Sequence, residues 1–135
     1  MIVHTVRFGF KDSVTAEQRA SGLRILAGMA ALESVSYSTL GRSLGGPHPA
    51  LTHAYCIAFE DLAALCRYLN DPVLHEGDRE FLPLLAHLSV DPDITDDADP
   101  DLGAKITSAF EQAVTDYPVW AESLQSVPQF DIHNV

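Results

Sequence analysis

Nine residues near the start of the chain, Ile2–Phe10 (IVHTVRFGF), restrict its possible folds more than any other stretch. Ile2, His4, Val6, Phe8 and Phe10 fall on one side of an extended backbone; Val3, Thr5, Arg7 and Gly9 fall on the other. This two-residue period describes a β-strand with one bulky apolar face that another layer must cover. A titratable ring, His4, sits on that face. Either a hydrogen bond satisfies it within a core, or the face lines a pocket.

Helices to cover the strand follow in the sequence. Thr15-Ala-Glu-Gln18 is a capping box, and Ala20, Leu23, Leu26, Ala27 and Ala30 recur at helical steps to about Leu32. Gly22 and Gly28 lower helix propensity there and mark close packing against a sheet. Residues 34–43 read as a second strand and the Gly/Pro-rich residues 44–49 as a loop. The clearest strand is 52–60 (THAYCIAFE), with His53, Tyr55, Ile57 and Phe59 on one face and Ala54, Cys56 and Ala58 on the other. Asp61 caps a helix carrying Leu62, Leu65, Cys66 and Leu69, with Tyr68 on the Leu65 side. A further helix is expected from Glu76, kinked or split at Pro83, and residues 87–91 form the last strand. The order β-α-β-β-α-β predicts an α+β, ferredoxin-like protomer: two helices over one face of a four-stranded antiparallel sheet. The uncovered face, with Thr5, Arg7, Ala54, Cys56 and Ala58, is mostly small and apolar, a liability that a second copy of the chain removes.

Four motifs in this order, IVHTVRFGFK, THAYCIAFED, YLNDP followed by a histidine, and a closing strand ending in VD, resemble the stress-responsive A/B barrel family (Dabb, dimeric α+β barrel). The resemblance spans about residues 1–92. It implies a protomer that pairs sheet-to-sheet with a partner as a homodimer, and a small cavity between sheet and helices. Many members have no assigned chemistry. The motifs are similar to those of a plant member, olivetolic acid cyclase, that closes an aldol-type ring without a cofactor. Carried over by position, the catalytic histidine matches His75 and the substrate-orienting tyrosine matches Tyr68. His4 and His53 match the pocket histidines of the first and third strands. The family pattern is Tyr-x-x-x-Pro-x-His, whereas Tyr68-Leu-Asn-Asp-Pro72-Val-Leu-His75 has one more residue after the proline. On a helix that residue is worth about 100° of rotation.

The expected site is therefore His75 as general base, Tyr68 as donor to a developing oxyanion, and a pocket walled by His4, Val6, Phe8, His53, Tyr55, Ile57 and His87. It would take a small apolar or aromatic ligand, polyketide-like or phenolic, and act as a cyclase or isomerase. A non-catalytic ligand-binding or stress-response protein and a cofactor-independent monooxygenase remain as alternatives. No metal is expected: the histidines show no HxH or HExxH spacing, and the starts of the first and third strands lie at opposite ends of an antiparallel sheet. The resemblance implies no cofactor either, and the Gly45-Gly46 pair has no phosphate-cradle context to suggest a nucleotide.

Charge narrows the partners. Net charge is −11, of which residues 92–135 carry −8, with Lys105 as their only basic side chain. Such a chain repels nucleic acid and anionic lipid. No apolar run approaches a membrane span, no signal-peptide pattern opens the chain, and two cysteines fit reduced thiols, so a cytoplasmic protein is expected. Residues 93–135 are expected to form an acidic, solvated linker, then a helical extension whose Phe110, Trp120 and Phe130 need burial. The extension is expected to cover the pocket mouth or embrace the partner, and residues 128–135 to add an edge strand.

Overall fold

The strand that opens the chain becomes the centre of the sheet. A computed structural model describes residues 1–133. The elements run β1 (Ile2–Phe10), α1 (Ala16–Ala30), β2 (Tyr37–Arg42), β3 (His53–Phe59), α2 (Leu62–Leu69), α3 (Pro72–Phe81), a 3-10 turn (Leu82–Leu84), β4 (Leu85–Val90), β5 (Ile94–Thr95), α4 (Leu102–Asp116), α5 (Pro118–Gln125) and β6 (Gln129–Ile132). The sheet order is β2-β3-β1-β4-β6, with β5 pairing the start of β1. The first four strands are antiparallel, in the ferredoxin-like α+β arrangement. Two strands go beyond the four expected. β6 lies parallel to β4 and β5 pairs with Ile2 and Val3. Residues 134 and 135, the end of the expected edge strand, lie outside the described residues.

Local signals explain most boundaries. The Thr15 hydroxyl accepts from the Gln18 amide at 3.1 Å while the Gln18 side chain accepts from the Thr15 amide at 2.9 Å, so the capping box is closed. Asp61 caps α2 through the Ala64 amide at 2.8 Å. Two expectations move. β2 starts at Tyr37, after a turn, and α3 starts at Pro72 instead of Glu76. Asp71 caps α3 by accepting from the Val73 amide, and Pro72 fits the first turn because its missing N–H has no intrahelical partner to lose. Pro83 lies in the 3-10 turn after α3, so no helix is kinked by it.

One face of the sheet carries the core: Ile2, Val6, Phe8, Ile57, Phe59 and Leu88 pack under α1, α2 and α3. Gly22 packs closely, since a Cβ there would meet Leu84 Cδ1 at 2.9 Å and push that side chain aside, whereas Gly28 has open space around it. On the opposite face, loop 43–51 crosses the end of β1. The Ala50 carbonyl oxygen lies 2.0 Å from where a Gly9 Cβ would stand, so only glycine admits it. The rest of that face is less covered, with Tyr37 57% exposed and Thr5, Ala54 and Cys56 half-buried.

The acidic linker is not simply solvated. The Asp96 carboxylate accepts from the N-terminal ammonium at 2.9 Å, Lys105 reaches Asp99 at 2.6 Å, and Asp93 turns inward. Beyond it α4 lies against α2, α5 against α3, and β6 against β4.

Candidate functional site

Between the core face of the sheet and helices α2, α3, α4 and α5 lies a cavity of about 680 Å³, within the range of small-molecule pockets. The sheet contributes His4, Val6, Tyr55, Phe59, Leu88 and Val90; α2 contributes Leu65, Tyr68 and Leu69; α3 contributes Leu74, Asp78 and Phe81. The extension closes the remaining side with Phe110, Trp120, Leu124 and Phe130, and exposed residues Thr107, Glu111, Val114 and Thr115 of α4 form the rim. The lining is apolar apart from a few polar groups.

His4 is the first of these. Its Nδ1 lies 2.8 Å from Asp93 Oδ1, and the imidazole is 8% exposed. With the carboxylate as acceptor, Nδ1 donates, and Nε2 is the ring nitrogen left without a protein partner among the described residues. Phe110 packs against the ring with centroids 5.8 Å apart. Asp93 reaches His4 because β5, just after it, is held to the start of β1.

Asp78 is the second. It is 8% exposed, and one carboxylate oxygen, Oδ2, accepts from Trp120 Nε1 at 2.8 Å. Burial pushes its pKa up to about 6, opposed by that hydrogen bond. Tyr55 and Tyr68 complete the polar set. Burial raises both phenol pKa values, and the neighbouring Asp78 charge raises them further, so both hydroxyls stay protonated and able to donate.

The expected site is only partly assembled. His4, Val6, Tyr55 and Tyr68 line the cavity. Phe8 and Ile57 are sealed in the core beside it. His53 does not reach it, because β1 pairs Phe8 with His53 and His4 with Ile57, which sets the two histidines four residues apart along the sheet, roughly 13 Å. The His53 ring stacks on Phe8 and meets Phe10 edge-on, and desolvation lowers its pKa. His87 is on the wrong face. Its neighbours Leu88 and Val90 register with Phe8 and Val6 on the cavity side, so His87 points to the opposite side, where Nε2 bonds Asp131 at 3.0 Å and the ring lies near His48.

His75 is the principal correction. Its Nε2 donates to the Leu69 carbonyl at 2.7 Å, and the ring stacks on Tyr117 with centroids 3.9 Å apart. It lines a shallower pocket with Arg79, Asp116 and Tyr117 on the far side of α5's Trp120. The additional residue after Pro72 is the cause: Leu74 takes the inward position and His75 is rotated off it. One turn further on, Asp78 shares the Leu74 face. Asp78, Asp93 and Trp120 were missed as site residues. A signal for Asp78 exists in the sequence, since Leu74, Asp78 and Phe81 follow helical steps and put a carboxylate within an apolar stripe.

Among the described residues, no three His, Cys, Asp or Glu side chains are grouped to hold a metal ion, and no helix is long and apolar enough to cross a membrane.

Comparison with known proteins agrees with this architecture. No curated protein sequence matches the chain. Among solved structures, the Arabidopsis thaliana protein At3g17210 superposes with a TM-score of 0.62 at 23% identity, over 73% of this chain and 97% of that one. A dimeric ferredoxin-like protein from Thermobifida fusca gives 0.59 at 20% identity, covering 70% and 89%. The hydroxynitrile lyase of Passiflora edulis gives 0.61 at 19% identity, covering 71% and 94%. At these identities the likeness is one of fold. The model of the stress responsive A/B barrel domain, Dabb, matches residues 2–92, two thirds of the sequence, and the chain belongs to that family.

Proposed function

We propose that this Dabb protein is a cofactor-independent acid–base catalyst, a lyase, cyclase or isomerase, acting on a small apolar or aromatic carbonyl compound. The observation that carries this reading is His4 on the wall of a mostly apolar cavity, backed by Asp93 from behind the lining. Asp93 fixes the imidazole tautomer and stabilises the imidazolium once it forms. Nε2 then takes a proton from a carbon next to a carbonyl; the C–H electron pair forms the enolate C=C bond and the C=O π pair moves onto the carbonyl oxygen. Tyr68 and Tyr55, kept protonated by burial, donate to that oxyanion. Return of the proton from His4 to product closes the cycle without any redox partner. The base is thus His4, and His75 is a support for the α4–α5 corner. A hydroxynitrile lyase on the same fold is consistent with chemistry of this class.

The same reading assigns residues 1–92 to the barrel domain and 93–135 to an extension that walls its cavity. It takes the protein to be a cytoplasmic homodimer that uses the less covered sheet face as its contact, as the dimeric relatives encourage. The test is turnover of a panel of cyanohydrins, β-keto and phenolic compounds by His4→Ala and His75→Ala proteins. Loss in His4→Ala with retention in His75→Ala supports the assignment. The reverse pattern overturns it, and binding without turnover of any compound makes the chain a ligand-binding member of the family.

A further inference from the structure

The cavity wall holds a group that the proton-transfer reading leaves idle. Asp78 is buried on α3, and among the described residues its only hydrogen-bond donor is Trp120 Nε1, on Oδ2. Oδ1 has no partner. A buried carboxylate with half its acceptor capacity unused is costly unless something polar or positive comes to it. Among the described residues no Lys or Arg lines the cavity, and the other acidic side chain on its lining is Glu111 at the rim.

The surroundings of Asp78 have a definite chemical preference. Tyr55 from β3, Tyr68 from α2 and Trp120 from α5 face it, and Phe81 follows it on α3. Aromatic faces around a carboxylate attract an organic cation by charge and by the ring quadrupole. They offer nothing to an anion, which would meet Asp78 with no countercharge. We propose that the ligand of this cavity carries a protonated amine on an apolar or aromatic body, with Asp78 Oδ1 as its counter-ion. The inference rests on the cavity being the functional site, and it specifies the substrate class of the acid–base reading. It also removes a difficulty in that reading. An oxyanion developing at Tyr55 and Tyr68 lies beside a carboxylate that would oppose it, and an ammonium bound there cancels that opposition. Burial has raised the proton affinity of Asp78, so amine binding and carboxyl protonation compete.

Trp120 is the only tryptophan in the chain and bonds Asp78 directly, so its emission reports occupancy. The full-length protein is titrated with 2-phenylethylamine, 2-phenylethanol and 3-phenylpropionate, followed by Trp120 fluorescence and by amide chemical shifts. At pH 8 the amine is expected to bind at least about tenfold tighter than the alcohol, with the carboxylate weakest. The margin is expected to shrink by pH 5, where Asp78 is largely protonated. Asp78→Asn, which keeps an acceptor for Trp120, is expected to bring amine and alcohol within about twofold. Carboxylate binding equal to amine binding, an amine preference that survives Asp78→Asn, or no amine binding at millimolar concentration would each overturn the proposal. The two readings fail separately. Turnover of neutral compounds without amine preference removes only the amine, whereas amine preference with full turnover in His4→Ala removes only the assignment of the base.

Discussion

His4 and His87 make an instructive pair. Both are buried, at 8% and 7% exposure, and both bond an aspartate from the C-terminal third, Asp93 at 2.8 Å and Asp131 at 3.0 Å. Both aspartates are delivered by short strands added to the sheet, β5 and β6. They differ in what lies in front of the ring. His4 opens onto a cavity able to hold a substrate, while His87 lies under the β2–β3 loop against His48. A histidine–aspartate pair is thus as useful as a structural tie as it is for proton transfer. The second ring nitrogen, and the space before it, decide between the two.

The comparison can be broken most directly by removing each ring. His4→Ala is expected to lower kcat/KM by 10²- to 10⁴-fold, about 3–5 kcal/mol of transition-state stabilisation, with His87→Ala within about twofold of wild type. Equal losses would make both pairs structural. The stability cost of Asp78 comes next. Its folded pKa of about 6 lies above the ordinary 3.8, so folding binds a proton more tightly than the unfolded chain does. Stability conferred by that proton is present below about pH 4 and lost as pH rises through about 6. Asp78→Asn is therefore expected to be more stable than wild type at pH 8, by up to about 3 kcal/mol, and indistinguishable at pH 3.5. Urea unfolding at both pH values measures it. An equal effect at the two would put the cost in packing.

Asp93→Asn is expected to cost about tenfold in kcat, less than loss of the imidazole, because the amide still bonds the ring but no longer stabilises its charged form. A flat effect across pH 5–9 would argue for positioning alone. Smallest is His87→Ala itself, for which thermal unfolding should show about 1 kcal/mol of lost stability, the usual net worth of such a hydrogen bond. Asp131, half-buried and held below the usual carboxylate range by His87, should titrate nearer its ordinary value in that variant.

What could be read from the sequence followed from short-range rules. Alternation in β1, the Thr15–Gln18 box and the Asp61 cap depend on residues within a few positions of one another, and each is found as read. The site depends on phase. Starting α3 at Pro72 instead of Glu76 turns His75 outward and Asp78 inward. The β4 register, which sets Phe8 against Leu88 and Gly9 against His87, sends His87 to the far face. Asp93 bonds His4 and Trp120 bonds Asp78 across 89 and 42 residues of sequence, and no local pattern encodes those contacts.

Trp120 lies beyond residue 92, where the family match ends, as do Phe110, Leu124 and Phe130 on the same wall. One wall of the cavity is therefore written by a different stretch of chain from the rest of its lining. A change of tail can alter which molecules fit while β1, β3 and their helices keep their registers.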